Sequence, residues 1–398
     1  TSANLKVDYS FSWHDQDSFY GSDRYSAKQG IVFSNFIWQF TKKKHSITAG
    51  VTNRVQFYDD NTVATDELSG NSEVLQYIPG VFLEDELKVS SRVLLLAGVR
   101  VDHYKRHGLI PAPRFGAKYK LNEWTNVRFS AGTGFKIVNL FTEDHAFITG
   151  QRVVEIQEEL NPERSWNVSS NFNHTHAWFG TSGSLDFDVY YTRFTNKIAP
   201  NYDSPGKIIY SNSADWAQSY GVVASFSQQF SFPLTYNIGL NFNRSELKSL
   251  SENGEESFQA LQFAPLWSGV LSVNYRLKRW KLDISYSSNI TGPMSLPEVF
   301  ELDESGLPQN DSRPIISNPF FIHNLQFTKQ FRGVKRFEFY GGIQNLFDFA
   351  QSYSPLVGFR DPNSKPGFSP FFDTSYAYAP LHGREVFFGI RLKIDRKN

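Results

Sequence analysis

Between Arg92 and Trp166 the chain repeats one pattern three times. Val93, Leu95, Ala97, Val99 and Val101 fall on one side of an extended segment, and Gly98, Arg100 and Asp102 fall on the other. After a short loop from Lys105 to Pro111, Phe115, Ala117, Tyr119 and Leu121 oppose Arg114, Gly116, Lys118 and Lys120. The turn Asn122-Glu123-Trp124-Thr125 leads to a third run. There Val127, Phe129, Ala131, Thr133 and Phe135 oppose Arg128, Ser130, Gly132 and Gly134. Side chains of a strand alternate between its faces, so an apolar period of two marks a strand with one apolar side.

The same reading along the chain gives about sixteen strands. The first, Ala3 to His14, and the second, Gly30 to Thr41, are separated by a loop rich in Ser, Asp and Gly. His45 to Tyr58 and Tyr77 to Val89 follow, then the three runs above. After a long connection from Lys136 to Arg164, alternation resumes at Trp166 and continues to the last strand, Arg384 to Ile394. Every other connection is short and the alternate ones are long. That rhythm belongs to an up-and-down barrel crossing a membrane, since sandwiches do not sort their connections so. No apolar run is long enough for a transmembrane helix, and the mean hydropathy of −0.40 is what alternation produces. The 37 Phe and 19 Tyr exceed what one water-soluble core needs. Trp13, Trp38, Tyr58, Trp124, Trp178 and Trp280, near strand ends, are expected at the bilayer interfaces. Alternation alone places Arg100, Arg114, Arg128, Asp186, Asp188 and Lys281 on the lumen side.

Composition removes other classes. A net charge of zero gives no support to nucleic-acid binding. With no cysteine there are no thiolate metal sites, Cys nucleophiles or disulfides, which suits an oxidising envelope compartment. One Met and no Cys argue against a soft-metal receptor. Asp102, His103 and His107 form a weak metal pattern, as do Asp59, Asp60, Asp66 and Glu67; solvated loop residues account for both. His145 beside Glu143 and Asp144 does not make a triad, and neither an enzyme nor a cofactor is expected. No secretory signal precedes the first strand, which implies a removed leader or a longer missing segment.

One stretch reads as a signature. Gly132-Thr133-Gly134-Phe135-Lys136-Ile137-Val138-Asn139-Leu140 is followed by Leu160-Asn161-Pro162-Glu163-Arg164-Ser165-Trp166-Asn167. With Gly98-Val99-Arg100-Val101-Asp102, Pro113-Arg114-Phe115-Gly116, Gly342-Ile343-Gln344-Asn345-Leu346-Phe347-Asp348 and Gly383-Arg384-Glu385-Val386-Phe387-Phe388, it resembles the TonB-dependent outer-membrane receptors. Lys136 stands where that family more often has Arg. The resemblance implies an active transporter in the bacterial outer membrane. It also implies a barrel of about 22 strands filled by an N-terminal plug and energised through TonB. Against that, residues 1–398 read as one outer-membrane β-barrel domain, the C-terminal portion of a longer polypeptide lacking the plug and about six strands. A passive porin-like channel and a non-transport barrel subunit of an envelope assembly, with partner proteins, are the alternatives.

Ligand contacts are expected on the long loops, which a rigid scaffold presents. Arg152 lies in one of them, and Tyr353, Phe359, Arg360, Phe371, Phe372, Tyr376 and Tyr378 lie in the last. Aromatics with an Arg suit a large, partly apolar, anionic ligand. Family frequency puts a ferric siderophore first, with cobalamin or an oligosaccharide next. Packing of the loop on itself accounts for the same residues.

Overall fold

The computed structural model describes residues 2–20, 23–61, 74–137, 153–156, 160–178, 180–201, 207–212, 216–250, 256–298, 300–302, 308–331, 337–353, 356–357, 371–372 and 376–392. All regular elements among them are strands. The first seven are β1 (Ser2–Tyr20), β2 (Asp23–Lys42), β3 (His45–Asp60), β4 (Val74–Lys88), β5 (Val93–Tyr104), β6 (Gly108–Lys120) and β7 (Thr125–Lys136). Next come β8 (Val153–Ile156), β9 (Glu163–His176), β10 (Ser182–Thr195), β11 (Ile198–Asn201), β12 (Lys207–Asn212), β13 (Ala217–Gln229) and β14 (Leu234–Leu250). Then follow β15 (Glu256–Ala260), β16 (Trp267–Leu277), β17 (Leu282–Thr291), β18 (Phe300–Leu302) and β19 (Pro308–Ser312). The last are β20 (Phe320–Gln330), β21 (Phe337–Gln344), β22 (Leu356–Val357), β23 (Phe371–Phe372) and β24 (Glu385–Leu392).

Seventeen strands form one antiparallel sheet in which each barrel strand pairs with the next along the chain. β15 pairs with the far end of β14 and β16 with its near end, so the two are one strand interrupted at residues 261–266. Phe263 there takes φ 60°, which displaces the expected strand start to Trp267. The remaining sixteen run up and down. β1 and β24 are the sheet's edges, and no pairing joins them among the described residues. β8, β11 and β12 form a separate small sheet, with β8 parallel to β12.

One rim carries only short turns, of two to six residues, such as residues 43–44 and 121–124. The other rim carries the long connections, with three departures from the expected sorting, one being residues 251–255 between β14 and β15. Only residues 21–22 separate β1 from β2, and only residues 105–107 separate β5 from β6. The Ser- and Asp-rich segment read as a loop is instead a continuation of both strands, paired from Ser2↔Thr41 to Tyr20↔Asp23. A membrane strand needs about 9–11 residues, so this hairpin extends well beyond a bilayer. There the apolar period disappears: Tyr25 and Ala27 are buried against Tyr58, much of the rest is open to water, and the continuous backbone ladder keeps the strands extended. Asp17 and Arg24 clasp across it at 2.8 and 2.9 Å, and the hydrogen bonds from Arg24 hold the Asp17 carboxyl below its usual range.

The two faces differ as alternation requires. Large apolar side chains stand exposed on the outer face of strand after strand: Tyr9, Val51, Leu83, Val99, Phe129, Phe187 and Leu240 among them, and Phe388 is 92% exposed. A band of that extent has no stable place in water, whereas a bilayer solvates it. Trp13, Trp38, Trp124, Trp178 and Trp280 are exposed as an interfacial belt requires. Tyr58 departs: it is buried, its hydroxyl donates to Asp60 at 2.7 Å, and it lies 3.2 Å from the Tyr25 hydroxyl. It shares a face with Arg54 and Thr52, opposite the outer Val51, so the ring packs inward.

Phe129 and Ser130 are neighbours on opposite faces of β7. Near the bilayer centre an arginine on the lipid side costs about 2–4 kcal/mol. Phe129→Arg is therefore expected to deplete folded protein in outer membranes, read as heat-modifiable electrophoretic mobility, while Ser130→Arg keeps it. Equal loss in both variants contradicts the assignment of faces.

Candidate functional site on the inner wall

The inner faces of β2 to β7 converge on a cavity of about 480 Å³ lined by Ile31, Phe33, Arg54, Ile78, Arg100, Asp102, Tyr104 and Phe135. A second hollow beside it, lined in part by Phe82, Glu84, Ala112 and Arg114, shares Phe33 and Arg100. Register explains the convergence, because Glu84, Gly98, Arg114 and Gly132 occupy paired positions across four strands.

Arg100 grips Asp102 through both arms of its fork, Nε and Nη2, at 2.7 Å each. Its Nη2 also donates to Thr52 Oγ1 at 3.2 Å. The Asp102 side chain is almost completely enclosed, whereas Arg100 is about half exposed and faces the cavity. Gly80 makes room for the carboxylate, since a Cβ there falls 2.2 Å from Asp102 Oδ1. Arg114 pairs with Glu84 lower on the wall. Arg54 donates to Gln56 through Nη2, while its buried Nε has no partner among the described residues. Tyr104 meets the edge of Phe135, with centroids 5.9 Å apart. The cavity thus offers one compensated guanidinium, one incompletely satisfied guanidinium and aromatic walls. That set suits a flat or acidic group.

The expected lumen residues separate into kinds. Arg100 and Arg114 are at the cavities just described. Arg128 is exposed on the inner face of β7 opposite Asn171, and Asn171 donates to Asp188 at 2.9 Å. Asn173 does the same for Asp186 at 2.7 Å. Lys281 lies outside the strand, in the turn before β17, with φ 48°. Sequence reasoning missed Arg54, Tyr104 and the apolar inner residues Ile31, Phe33 and Ile78. The available signal was β2 itself, where Ile31, Val32, Phe33, Phe36, Ile37 and Trp38 are apolar on both faces.

The loop candidates fare differently. Tyr376 is fully buried, donates to Pro314 O at 2.6 Å and lies under the Arg313 guanidinium, 5.2 Å from its ring centre. Tyr353 meets Tyr376 edge-on. Gln351 Oε1 accepts from the Tyr378 and Ala379 amides at 3.1 and 3.2 Å, and burial raises the Tyr378 hydroxyl above its ordinary value. With Met294, Leu296 and Phe320 these rings weld two long loops together. Phe371 and Phe372 form β23, paired with β22. Arg152, Phe359 and Arg360 lie outside the described residues. So do Asp66, Glu67 and His145 of the weak patterns; among the described residues no three potential metal ligands cluster.

The signature residues act as fasteners. Glu163 Oε1 accepts from Lys197 Nζ and the Ile198 amide at 2.8 Å each. Asn212 brackets Asn161, accepting from its amide at 2.7 Å and donating to its carbonyl at 3.0 Å. Asn345, at φ 50°, donates to Phe349 O and accepts from its amide. Asp348 accepts from the Arg384 amide at 2.6 Å, and a Cβ at Gly383 falls 2.2 Å from that same carboxylate oxygen.

Comparison with known proteins now has a geometry to bear on. Residues 1–346 match the family described as TonB dependent receptor-like, beta-barrel. The fold is similar to the FrpB iron transporter of Neisseria meningitidis, with a TM-score of 0.68 at 13% identity over 98% of this chain and 60% of that one. It is similar also to a variant of the ferric enterobactin receptor PfeA of Pseudomonas aeruginosa, with a TM-score of 0.65 at 17% identity over 98% and 59%. A copper transporter, OprC, gives a TM-score of 0.67 at 13% identity over 98% and 62%. The chain therefore spans about three fifths of the length of these solved structures. No curated protein sequence matches it.

Removing the Asp102 carboxylate leaves Arg100 facing Thr52 alone. Because Arg100 is half exposed, Asp102→Ala is expected to cost about 1–3 kcal/mol. The readout is a lowered urea midpoint of the detergent-folded full-length protein, and an unchanged midpoint contradicts the role given to this pair.

Proposed function

Since the chain belongs to the TonB-dependent receptor-like β-barrel family, we propose that it is the barrel part of an active outer-membrane transporter that imports a large, scarce solute. That family works in the bacterial outer membrane with a plug domain and TonB. The reading extends this to the present chain, with outer-membrane lipid around it and an N-terminal plug of the same polypeptide inside it. β1 and β24 leave rows of backbone N–H and C=O groups unpaired, which hydrocarbon does not tolerate. Further strands of that polypeptide, about six of them, close the barrel between these edges in this reading.

The observation that carries the substrate class is the inner-wall cavity, with Arg54, Arg100, Tyr104 and Phe135 gathered around it. Guanidinium and aromatic groups together favour an anionic ligand with flat rings, and a ferric catecholate siderophore has that chemistry. Cobalamin and oligosaccharides, which lack the charge or the rings, fit less well.

The test is iron uptake. A deletion strain is expected to lose saturable uptake of radiolabelled iron presented as its tris-catecholate chelate. Expression of the full-length protein restores that uptake, and collapsing the proton motive force abolishes it. Arg54→Ala with Arg100→Ala is expected to raise the half-saturating concentration severalfold. Unsaturable, energy-independent uptake identifies a porin-like channel and overturns the proposal.

A further inference from the structure

The inner wall has two unlike sectors. On β2 to β6 its side chains include Ile31, Phe33, Ile78, Phe82, Leu94 and Leu96, with cations between them. On β9 to β20 the same face carries amides and hydroxyls that bond to one another across the strands. Asn167 donates to Thr192 at 2.7 Å, Tyr190 to Asn243 at 2.9 Å and Ser245 to Ser219 at 2.9 Å. Asn324 donates to Ser287 at 3.4 Å and Gln326 to Thr328 at 3.2 Å, extending the network to β20. Charges in this sector are few: Asp186 and Asp188 each accept a hydrogen bond from an asparagine amide, and the cation Arg276 is paired with Asp283 at 2.6 and 2.9 Å.

These sectors suit different tasks. Apolar side chains on both faces of a strand gain stability only when the inner ones are also covered. The Lys118–Arg128 pair beside them sits in register across β6 and β7 and calls for carboxylates on whatever covers it. An amide and hydroxyl wall does the reverse. It stays wetted, and it offers many weak, exchangeable hydrogen bonds, with its one strand-borne cation among the described residues, Arg276, already paired and so not free to hold a passing anion. Passage requires that balance of entry and release.

Resting on the transporter reading above, we propose that the lumen is divided. Below the cavity, from Thr48, Leu94, Leu96 and Gly116 to the Lys118–Arg128 pair near the short turns, the β2–β7 wall stays covered by an acid-bearing face of the folded plug throughout the cycle; solute that has bound at the cavity passes on along the β9–β20 wall. Detachment therefore begins on the amide side, where only water is exchanged. The basic, apolar side acts as the hinge that keeps the plug in the barrel.

This chain has no cysteine, so single thiols report without background from it. In cells making the full-length receptor, Ser287→Cys and Ser245→Cys are placed on the amide wall, and Gly116→Cys and Thr48→Cys on the covered wall. Reaction with a charged, membrane-impermeant methanethiosulfonate is timed with and without the ferric tris-catecholate, before and after the proton motive force is collapsed. Ser287→Cys and Ser245→Cys are expected to react severalfold faster in energised, solute-supplied cells, with Gly116→Cys and Thr48→Cys unchanged. Energised uptake with acceleration at Gly116→Cys and Thr48→Cys, or equally at all four, overturns the divided lumen while leaving the transporter reading intact. Absence of energised iron uptake in all four and in the unsubstituted receptor removes the transporter reading, and the inference falls with it. Should a thiol variant fail to assemble, Asn289→Cys and Ser130→Cys occupy the corresponding walls.

Discussion

Everything in this fold follows from the hydrogen bonding of the strand backbone where no water can reach it. Within a bilayer each N–H and C=O must find a partner in the protein, and among sheets only those paired strand to strand satisfy that need. Among the described residues, sixteen up-and-down strands, each paired with its neighbour along the chain, meet it except along the outer edges of β1 and β24. Once pairing is fixed, the pleat decides the rest. Successive side chains are sent to lipid and to lumen, so residue chemistry is forced to alternate and function is confined to the inner face and the rims.

That dependence explains what could be read without coordinates. Strands such as β5, β7, β10 and β14 have lipid on one side and polar surroundings on the other, so their period of two is clean and their faces were legible. It faded wherever the two environments became alike. Above the membrane, residues 15–29 have no continuous apolar face, only Tyr25 and Ala27 being buried against Tyr58, and look like a loop, although they continue β1 and β2. On β2, protein-like packing inside and lipid outside make both faces apolar, which hid Phe33 and Ile31 as inner residues. The cavity itself was not legible, because Arg54, Arg100 and Tyr104 come from two strands whose register no local pattern specifies.

The family signatures turn out to concern assembly more than ligand. Asn161, Glu163, Asn345, Asp348 and Gly383 lie where long loops leave the barrel: Glu163, Asn345 and Asp348 each accept from a backbone amide at the rim, Asn212 closes the backbone of Asn161, and Gly383 leaves room for the Asp348 carboxylate. Tyr376 belongs to the same class. Its aromatic neighbours in sequence suggested ligand contact, yet its complete burial under Arg313 makes it part of the loop framework. In the proposed function, chemistry directed at a solute is left to side chains on the inner wall.

The account stands on the assignment of the two faces, and collision rates of nitroxide spin labels measure it directly in membranes. Along β14 of the full-length protein, labels at Ile238, Leu240 and Phe242 are predicted to collide preferentially with oxygen dissolved in lipid. Labels at Asn237, Gly239 and Asn241 are predicted to collide preferentially with a water-soluble nickel chelate. A profile without alternation, or with the two sets exchanged, contradicts the barrel described here.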